Sequence, residues 1–460
     1  MSLLRVTAFV FALLFLQITL FANSFEYLKR SSQKSGPTIA VIGYQSEAGN
    51  AGVHALSQIA TWEISRGTLV VFRESDSSEL IHKKQIARLG NRSQWTESVN
   101  KILEEVKPDW VIQLSESFDA KSLISESHGS TIYGQGNVAN LPKLVSEMSR
   151  AAEVAGLKDE PKWKHHILEM KDVELPQMIS VVTSAKHPQK RRLWVRSRQQ
   201  RAAVHELLSR LEMRAEGSSY DDIMPNHREQ GKIRLAIYHG PGAVSSSGHD
   251  PVWIQHTLRF VPGFQTSLIG PVEIQAGKLS QFDVLLVGGG LSNRQSKGLG
   301  RRGRDSIKKF VKAGGGYVGI CAGMFLACSS SDYRLGLLPI DSASCSGIGK
   351  IKLDFDADRE IQIKGTYPAK FSGGPVKVRK LDPSEKNVKI LAYFRSEPLE
   401  KTTSRKLTDS PAIVSGNYGK GRVLLFSPHC ERAPGPRSAF VNAIHWAAKS
   451  KDSPRSDRGS

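Results

Sequence analysis

The run Tyr317-Val318-Gly319-Ile320-Cys321-Ala322-Gly323-Met324 constrains this chain more than any other stretch. An apolar strand that ends in Gly-x-Cys-x-Gly turns sharply into a helix and lifts the cysteine above the strand ends, as a nucleophile elbow. Side chains at 319 and 323 would collide with the sheet or the helix, so glycine suits both positions. Just upstream, residues 305–312 read as a helix, and Gly314-Gly315-Gly316 supplies its left-handed stop. Helix, strand and helix in close succession belong to a parallel sheet with helices on its faces.

The alternation extends in both directions. In the first half, strands are expected at 38–43, 68–72, 109–114 and 177–182, with helices at 53–66, 95–106 and 197–213. Residues 25–37 read as polar and irregular. Residues 214–232 lose the apolar period and contain Gly217-Ser218-Ser219 and Pro225-Asn226, which reads as a linker. Strands at 234–238 and 284–287 follow, the second ending at Gly288-Gly289-Gly290, with a helix at 252–260. Residues 348–394 read as a β-rich antiparallel extension. A last core strand is expected at 423–427 and a closing helix at 439–448, before a disordered tail at 449–460. The fold class is therefore α/β: two doubly wound, mostly parallel-sheet domains at 38–213 and 233–448, the second flavodoxin-like with an antiparallel extension. A chain of 460 residues accommodates both.

A hydrophobic content of 39% with 23% charged residues excludes fibrous or wholly disordered character. The formal net charge of +20 gives a basic surface, which attracts anionic polymers, phosphates or headgroups. The N-terminus narrows that choice. Residues 1–24 carry Arg5, an apolar run over 6–22, and small residues at Ala22-Asn23-Ser24. This reads as a secretory signal or, if uncleaved, a membrane anchor. The body is expected outside the cytoplasm, secreted or periplasmic. Nucleic acid is then not the expected partner; the basic surface reads first as a solvated Lys/Arg-rich exterior, with an anionic envelope polymer as the alternative. The four cysteines, Cys321, Cys328, Cys345 and Cys430, form no dense disulfide framework and no zinc-type spacing. No metal site and no cofactor is expected.

Downstream of the elbow comes Leu424-Leu425-Phe426-Ser427-Pro428-His429-Cys430-Glu431. A thiol is a weak nucleophile until it loses its proton. An elbow aims the sulfur at the N-terminus of the next helix, whose partial positive charge favours the anion. His429 at a strand end would take the thiol proton and later protonate a leaving group. Glu431 leaves the strand end on the same face and would orient the imidazole. Cys430, between them, points the other way and reads as packing. Backbone N–H groups at Gly289 and Gly290, with that of Ala322, are candidates for an oxyanion hole.

On these runs, residues 234–448 resemble the class I glutamine amidotransferase-like superfamily. In particular they resemble the amidotransferase-like domain at the N-terminus of fungal biotin-protein ligases. Ile237-Tyr238-His239-Gly240-Pro241-Gly242, Val287-Gly288-Gly289-Gly290 and Phe371-Ser372-Gly373-Gly374-Pro375 carry the resemblance along with the elbow and the run 419–431. It implies a triad of Cys321, His429 and Glu431, with Gly289 and Gly290 on the oxyanion side. Glutaminases of the family usually carry Gln two residues after the second elbow glycine, whereas Met324-Phe325 stands here. No run in these residues reads as a synthetase or biotin-ligase half, so glutamine is not the expected substrate. The expected activity is hydrolysis or transfer of an amide-type bond in a small-molecule or peptide substrate. The alternative is a non-catalytic extracytoplasmic binding protein built from two degenerate enzyme folds.

The first half more faintly resembles the succinylglutamate desuccinylase/aspartoacylase group of zinc carboxypeptidase-like folds. The runs are Ile42-Gly43 before Asn50-Ala51-Gly52-Val53, the strand Asp109-Trp110-Val111-Ile112-Gln113-Leu114-Ser115-Glu116, and Val181-Val182-Thr183-Ser184. That group carries a His-x-x-Glu zinc pair where Tyr44-Gln45-Ser46-Glu47-Ala48-Gly49 stands, and a later zinc histidine where Ser115 stands. Without those histidines zinc is not expected. The cationic segment 186–201 around Trp194 could offer Arg196 or Arg198 to an anion, but the preferred reading is a solvated helix start with one half-buried Trp. His165-His166 reads as surface histidine.

Overall fold

The computed structural model describes residues 26–43, 51–73, 101–117, 130–136, 138–156, 162–168, 177–184, 193–223, 231–243, 251–259, 261–329, 331–356, 360–400 and 405–448. The apolar segment at 6–22, the stretch 44–49 and the tail from 449 lie outside them. The chain divides into two compact units between Asp222 and Ile223.

The first unit is built on seven strands: β1 (Glu26–Ser31), β2 (Thr38–Gly43), β3 (Thr68–Arg73), β4 (Trp110–Ser117), β5 (Thr131–Gln135), β6 (Lys164–Leu168) and β7 (Gln177–Ser184). Their order across the sheet is β1-β3-β2-β4-β7-β5-β6. The central four, β3, β2, β4 and β7, are parallel; β1 and β5 run antiparallel to their inner neighbours. Helices α1 (Ala51–Ile59), α2 (Leu141–Val154) and α3 (Leu193–Arg210) pack on it. Alternate residues of β2 enter two separate cores, Ile39 and Val41 on one face, Ala40 and Ile42 on the other. Both faces are covered, so the strand reads as a continuous apolar run.

Three local expectations are corrected here. The segment read as irregular before residue 37 contains β1, whose Tyr27 ring packs 6.3 Å from Phe72. The helix read over 53–66 ends at Ile59, where the Thr61 hydroxyl donates to the Gln58 carbonyl and turns the chain. Residues 214–222, read as linker, are folded onto the first unit. Arg214 pairs with Asp222 at 3.1 Å and its guanidinium lies 5.0 Å over the buried Trp62 ring; Asp221 pairs with Arg198 at 2.8 Å. Ion pairs and a cation–π contact hold a segment that has no apolar period to announce it.

The second unit carries nine strands: β8 (Ile233–Tyr238), β9 (Phe264–Ile269), β10 (Val284–Val287), β11 (Gly316–Ile320), β12 (Ile340–Phe355), β13 (Gly365–Lys380), β14 (Lys389–Phe394), β15 (Pro411–Tyr418) and β16 (Gly421–Phe426). Their order is β13-β12-β14-β15-β16-β11-β10-β8-β9. From β16 to β9 all pairs are parallel, and from β13 to β16 all are antiparallel. This is a mixed α/β sheet with an antiparallel extension. Helices α4 (Pro251–Arg259), α5 (Pro271–Gln275), α6 (Ser292–Lys312), α7 (Ala322–Ala327) and α8 (Arg437–Ala448) complete the unit. Val318 and Ile320 face one core, Tyr317 the other.

Helix α6 starts 13 residues before the expected 305, with a break at Gly300 (φ 62°, ψ −179°). Its first turns hide from a sequence reading because three glycines interrupt them. One, Gly298, is needed: a β-carbon there would lie 2.6 Å from the Pro241 ring.

Candidate active site in the second unit

Parallel strands put functional groups at their C-terminal ends, and β11 and β16 are neighbours. Cys321 follows β11 directly with φ 52° and ψ −102°, a strained conformation for a residue with a β-carbon. Several bonds hold it there. The Cys321 N–H donates to the Phe426 carbonyl at 2.8 Å, and the N–H groups of Met324 and Phe325 both return to the Cys321 carbonyl at 3.1 Å. The buried Tyr317 hydroxyl donates to the Gly323 carbonyl at 2.8 Å. The elbow glycines are steric necessities. A β-carbon at Gly319 would lie 2.7 Å from the Gly323 carbonyl oxygen, and one at Gly323 would lie 2.0 Å from that of Val287. Helix α7 spans only six residues, so few peptide dipoles back the expected thiolate-stabilising helix end.

Beyond β16 the chain re-engages the sheet through β13: the His429 N–H donates to the Lys370 carbonyl at 2.8 Å. This fixes the imidazole above the strand ends. His429 Nδ1 and Glu431 Oε1 are 2.7 Å apart, with the two residues 1% and 2% exposed. Cys321 lies close enough to the same imidazole to favour its protonated form. With Nδ1 held by Glu431, Nε2 is the nitrogen left for the thiol. Burial pushes the His429 pKa down, but the Glu431 charge and hydrogen bond, with Cys321 beside the ring, outweigh it, raising the value to about 10. Cys321, His429 and Glu431 are thus brought together. Cys430 lies between the last two in sequence, is buried in the core, and burial pushes its thiol up.

Gly289 and Gly290 reach the site through strand register. Val287, the last residue of β10, pairs with Gly319, so the Gly288–Gly290 run leaves the sheet at the end of the strand next to the elbow strand. Gly290 has φ 124°, which a side chain does not tolerate. The N–H groups of Gly289, Gly290 and Ala322 donate to no group among the described residues.

Sequence reasoning left one participant without a role. The run Phe371-Ser372-Gly373-Gly374-Pro375 lies across the elbow in β13. The Cys321 thiol sits 3.4 Å from the Gly373 carbonyl oxygen and donates to it. Gly374 approaches Ser427, where a β-carbon would lie 3.0 Å from the backbone oxygen, and the Ser427 hydroxyl donates to the Pro375 carbonyl. Adjacent glycines inside a strand were the available signal, since they mark close backbone approach. Half-buried Arg432 covers the flank, its guanidinium 4.8 Å over the Trp253 ring. Cys321 is 8% exposed.

In the first unit the expected anion-seeking arginines find internal anions. Arg196 donates to the buried Glu116 carboxylate, which also accepts from the Ala51 N–H at 2.8 Å. Burial raises the Glu116 pKa, opposed by Arg196 and that N–H. Arg198 is paired with Asp221. Trp194, expected half-buried, is fully buried. The helix start read as solvated is therefore a core element, because these arginines carry their counter-ions with them. Ser115 lies in β4, and its carbonyl accepts from Gln200 at 2.8 Å. His165 is exposed, and His166 stacks 5.7 Å from Tyr133. Among the described residues no group of three His, Cys, Asp or Glu is placed to hold a metal.

The sequence of the second unit has recognisable relatives. Residues 233–344 match the family described as biotin-protein ligase, N terminal. The match covers β8 to the start of β12, including the elbow and the Gly288–Gly290 loop. An uncharacterized protein of Chlamydia muridarum is 26% identical over 44% of this chain and 81% of its own length. The pyridoxal 5'-phosphate synthase subunit PdxT of Haloquadratum walsbyi is 31% identical over 28% of this chain. The chain spans 63% of that subunit's length. Among solved structures, a protein described as ThuA-like from Bacteroides uniformis is 14% identical, with 49% of this chain and 96% of that one covered and a TM-score of 0.38. The family match and the PdxT similarity support an amidotransferase-like fold for this unit.

Proposed function

We propose that the second unit cleaves or transfers an amide-type bond through a thioester on Cys321. The observation that carries this reading is the buried His429 imidazole, bonded to Glu431 at 2.7 Å and influenced electrostatically by the neighbouring Cys321 on the elbow. In the reaction, His429 carries the proton given up by Cys321 on Nε2, and sulfur attacks the amide carbon as the thiolate. The carbonyl oxygen gains negative charge facing the N–H groups of Gly289, Gly290 and Ala322. The imidazolium returns its proton to the departing nitrogen, the C–N bond breaks, and a thioester remains. Water or another nucleophile, deprotonated by His429, then releases the acyl group and restores the thiol. Glu431 keeps Nδ1 protonated and stabilises the charged ring throughout. The substrate class is a small-molecule or peptide amide, and the apolar run at 6–22 supports placing the reaction outside the cytoplasm.

A second reading, a binding unit that keeps the three residues without turnover, is favoured by one observation: the thiol donates to Gly373 and is nearly covered. Alkylation by iodoacetamide separates the two. The expected result is rapid labelling of Cys321 at neutral pH that slows at least about tenfold in His429→Ala, as removal of the base of a nucleophile pair should produce. Equal, slow labelling in both proteins would sink the catalytic reading and favour the binding unit. For any substrate found, Cys321→Ser with full activity would be equally fatal.

A further inference from the structure

Gln295 lies in the second turn of α6 and is fully buried. Its Nε2 donates to three backbone carbonyls, those of Gly288 at 3.1 Å, Gly242 at 3.3 Å and Gly289 at 3.4 Å. Three acceptors around one atom fix which end of the amide is nitrogen. The other end, Oε1, is buried with no hydrogen-bond partner among the described residues. A buried polar atom without a partner carries a cost. A side chain retained only to fill this space would more cheaply be apolar.

The placement of those carbonyls decides where their peptide N–H groups point. Strand β10 lies between β8 and β11. Gly242 belongs to the loop after β8, so an amide that reaches Gly242, Gly288 and Gly289 together stands on the β8 side of the β10 loop. In a trans peptide the N–H points opposite to the preceding carbonyl. The N–H groups of Gly289 and Gly290 therefore face away from Gln295, toward the β11 side, where Cys321 stands. The loop has little other freedom: the Leu291 N–H also donates to the Gly242 carbonyl at 2.9 Å, and a β-carbon at Gly290 would lie 1.9 Å from that oxygen.

We infer that Gln295 is a positioning residue: it grips the carbonyl faces of Gly288 and Gly289 and so aims the next two N–H groups at the oxygen of an acyl group attacked by Cys321. The inference rests on the reading of Cys321 as a nucleophile. It adds that the oxyanion donors are organised from α6, by a side chain that touches neither substrate nor thiol.

Two reactions of the same sulfur test it. Iodoacetamide alkylates by displacing iodide and forms no oxyanion. p-Nitrophenyl acetate acylates through a tetrahedral oxyanion, forming the acetyl thioester and releasing p-nitrophenolate. In Gln295→Met, similar in length but without donors, acylation should fall about tenfold or more while alkylation stays within about twofold, since losing a whole oxyanion donor costs about 10²–10³. If that variant fails to fold, Gln295→Asn, which withdraws the amide by one methylene, gives the same ratio. Native protein that is acylated with a ratio unchanged in the variant would overturn this inference alone. A parallel fall in both rates would also overturn it, as general damage. Native protein that alkylates rapidly but is never acylated would overturn both this inference and the acyl-transfer reading.

Discussion

His429 is the residue on which protonation, stability and chemistry meet. Its pKa lies above the ordinary 6.5, at about 10, because Glu431 and Cys321 outweigh the burial that opposes protonation. The folded protein thus holds a proton that the unfolded chain releases above 6.5. Stability from this group is fully present below that pH and declines as pH rises through about 10. We expect unfolding of the second unit by urea to become easier between those limits, with a flatter profile in His429→Gln. A native profile that rises with pH over this window would contradict the imidazolium–carboxylate pair.

At the scale of elements, the site depends on how closely β10, β11 and α7 approach. The Val287 carbonyl stands where a β-carbon at 323 would go, at 2.0 Å. Backbone cannot yield as a flexible side chain can, so Gly323→Ala forces the elbow away from β10. The expected cost is about 3 kcal/mol or more, at the upper end for overpacking. Thermal unfolding should show it, with loss of Cys321 labelling at temperatures where the native protein is intact. An unchanged Tm would mean the elbow is looser than described.

At the scale of the whole molecule, each unit has its own cores and its own buried charge pair. Glu116 and Arg196 neutralise each other inside the first unit, and removing one partner leaves a buried charge uncompensated. Glu116→Ala should therefore destabilise the first unit by about 3–5 kcal/mol. Cys321 belongs to a separate core, so its alkylation rate should stay at the native level. Calorimetry paired with labelling checks both, and a matching loss of Cys321 reactivity would show that the units do not unfold separately.

Much of the second unit was legible in its sequence because strong local signals coincide there. Gly-x-Cys-x-Gly after an apolar run imposes the elbow, and His-x-Glu two residues apart at a strand end puts both side chains on one side. The parallel sheet follows from the alternation of strand and helix. Tertiary structure alone decided the rest. The β13 strap reaches Cys321 from 52 residues away, and Gln295 acts on carbonyls contributed by two different loops. Arg196 and Arg198, which look like ligand-seeking cations in the sequence, are satisfied by Glu116 and by Asp221, a residue of the supposed linker. Periodicity and turn chemistry report what a segment does with its own neighbours. Which distant carbonyl or carboxylate completes a buried polar group is set only when the strands are laid in order and in register.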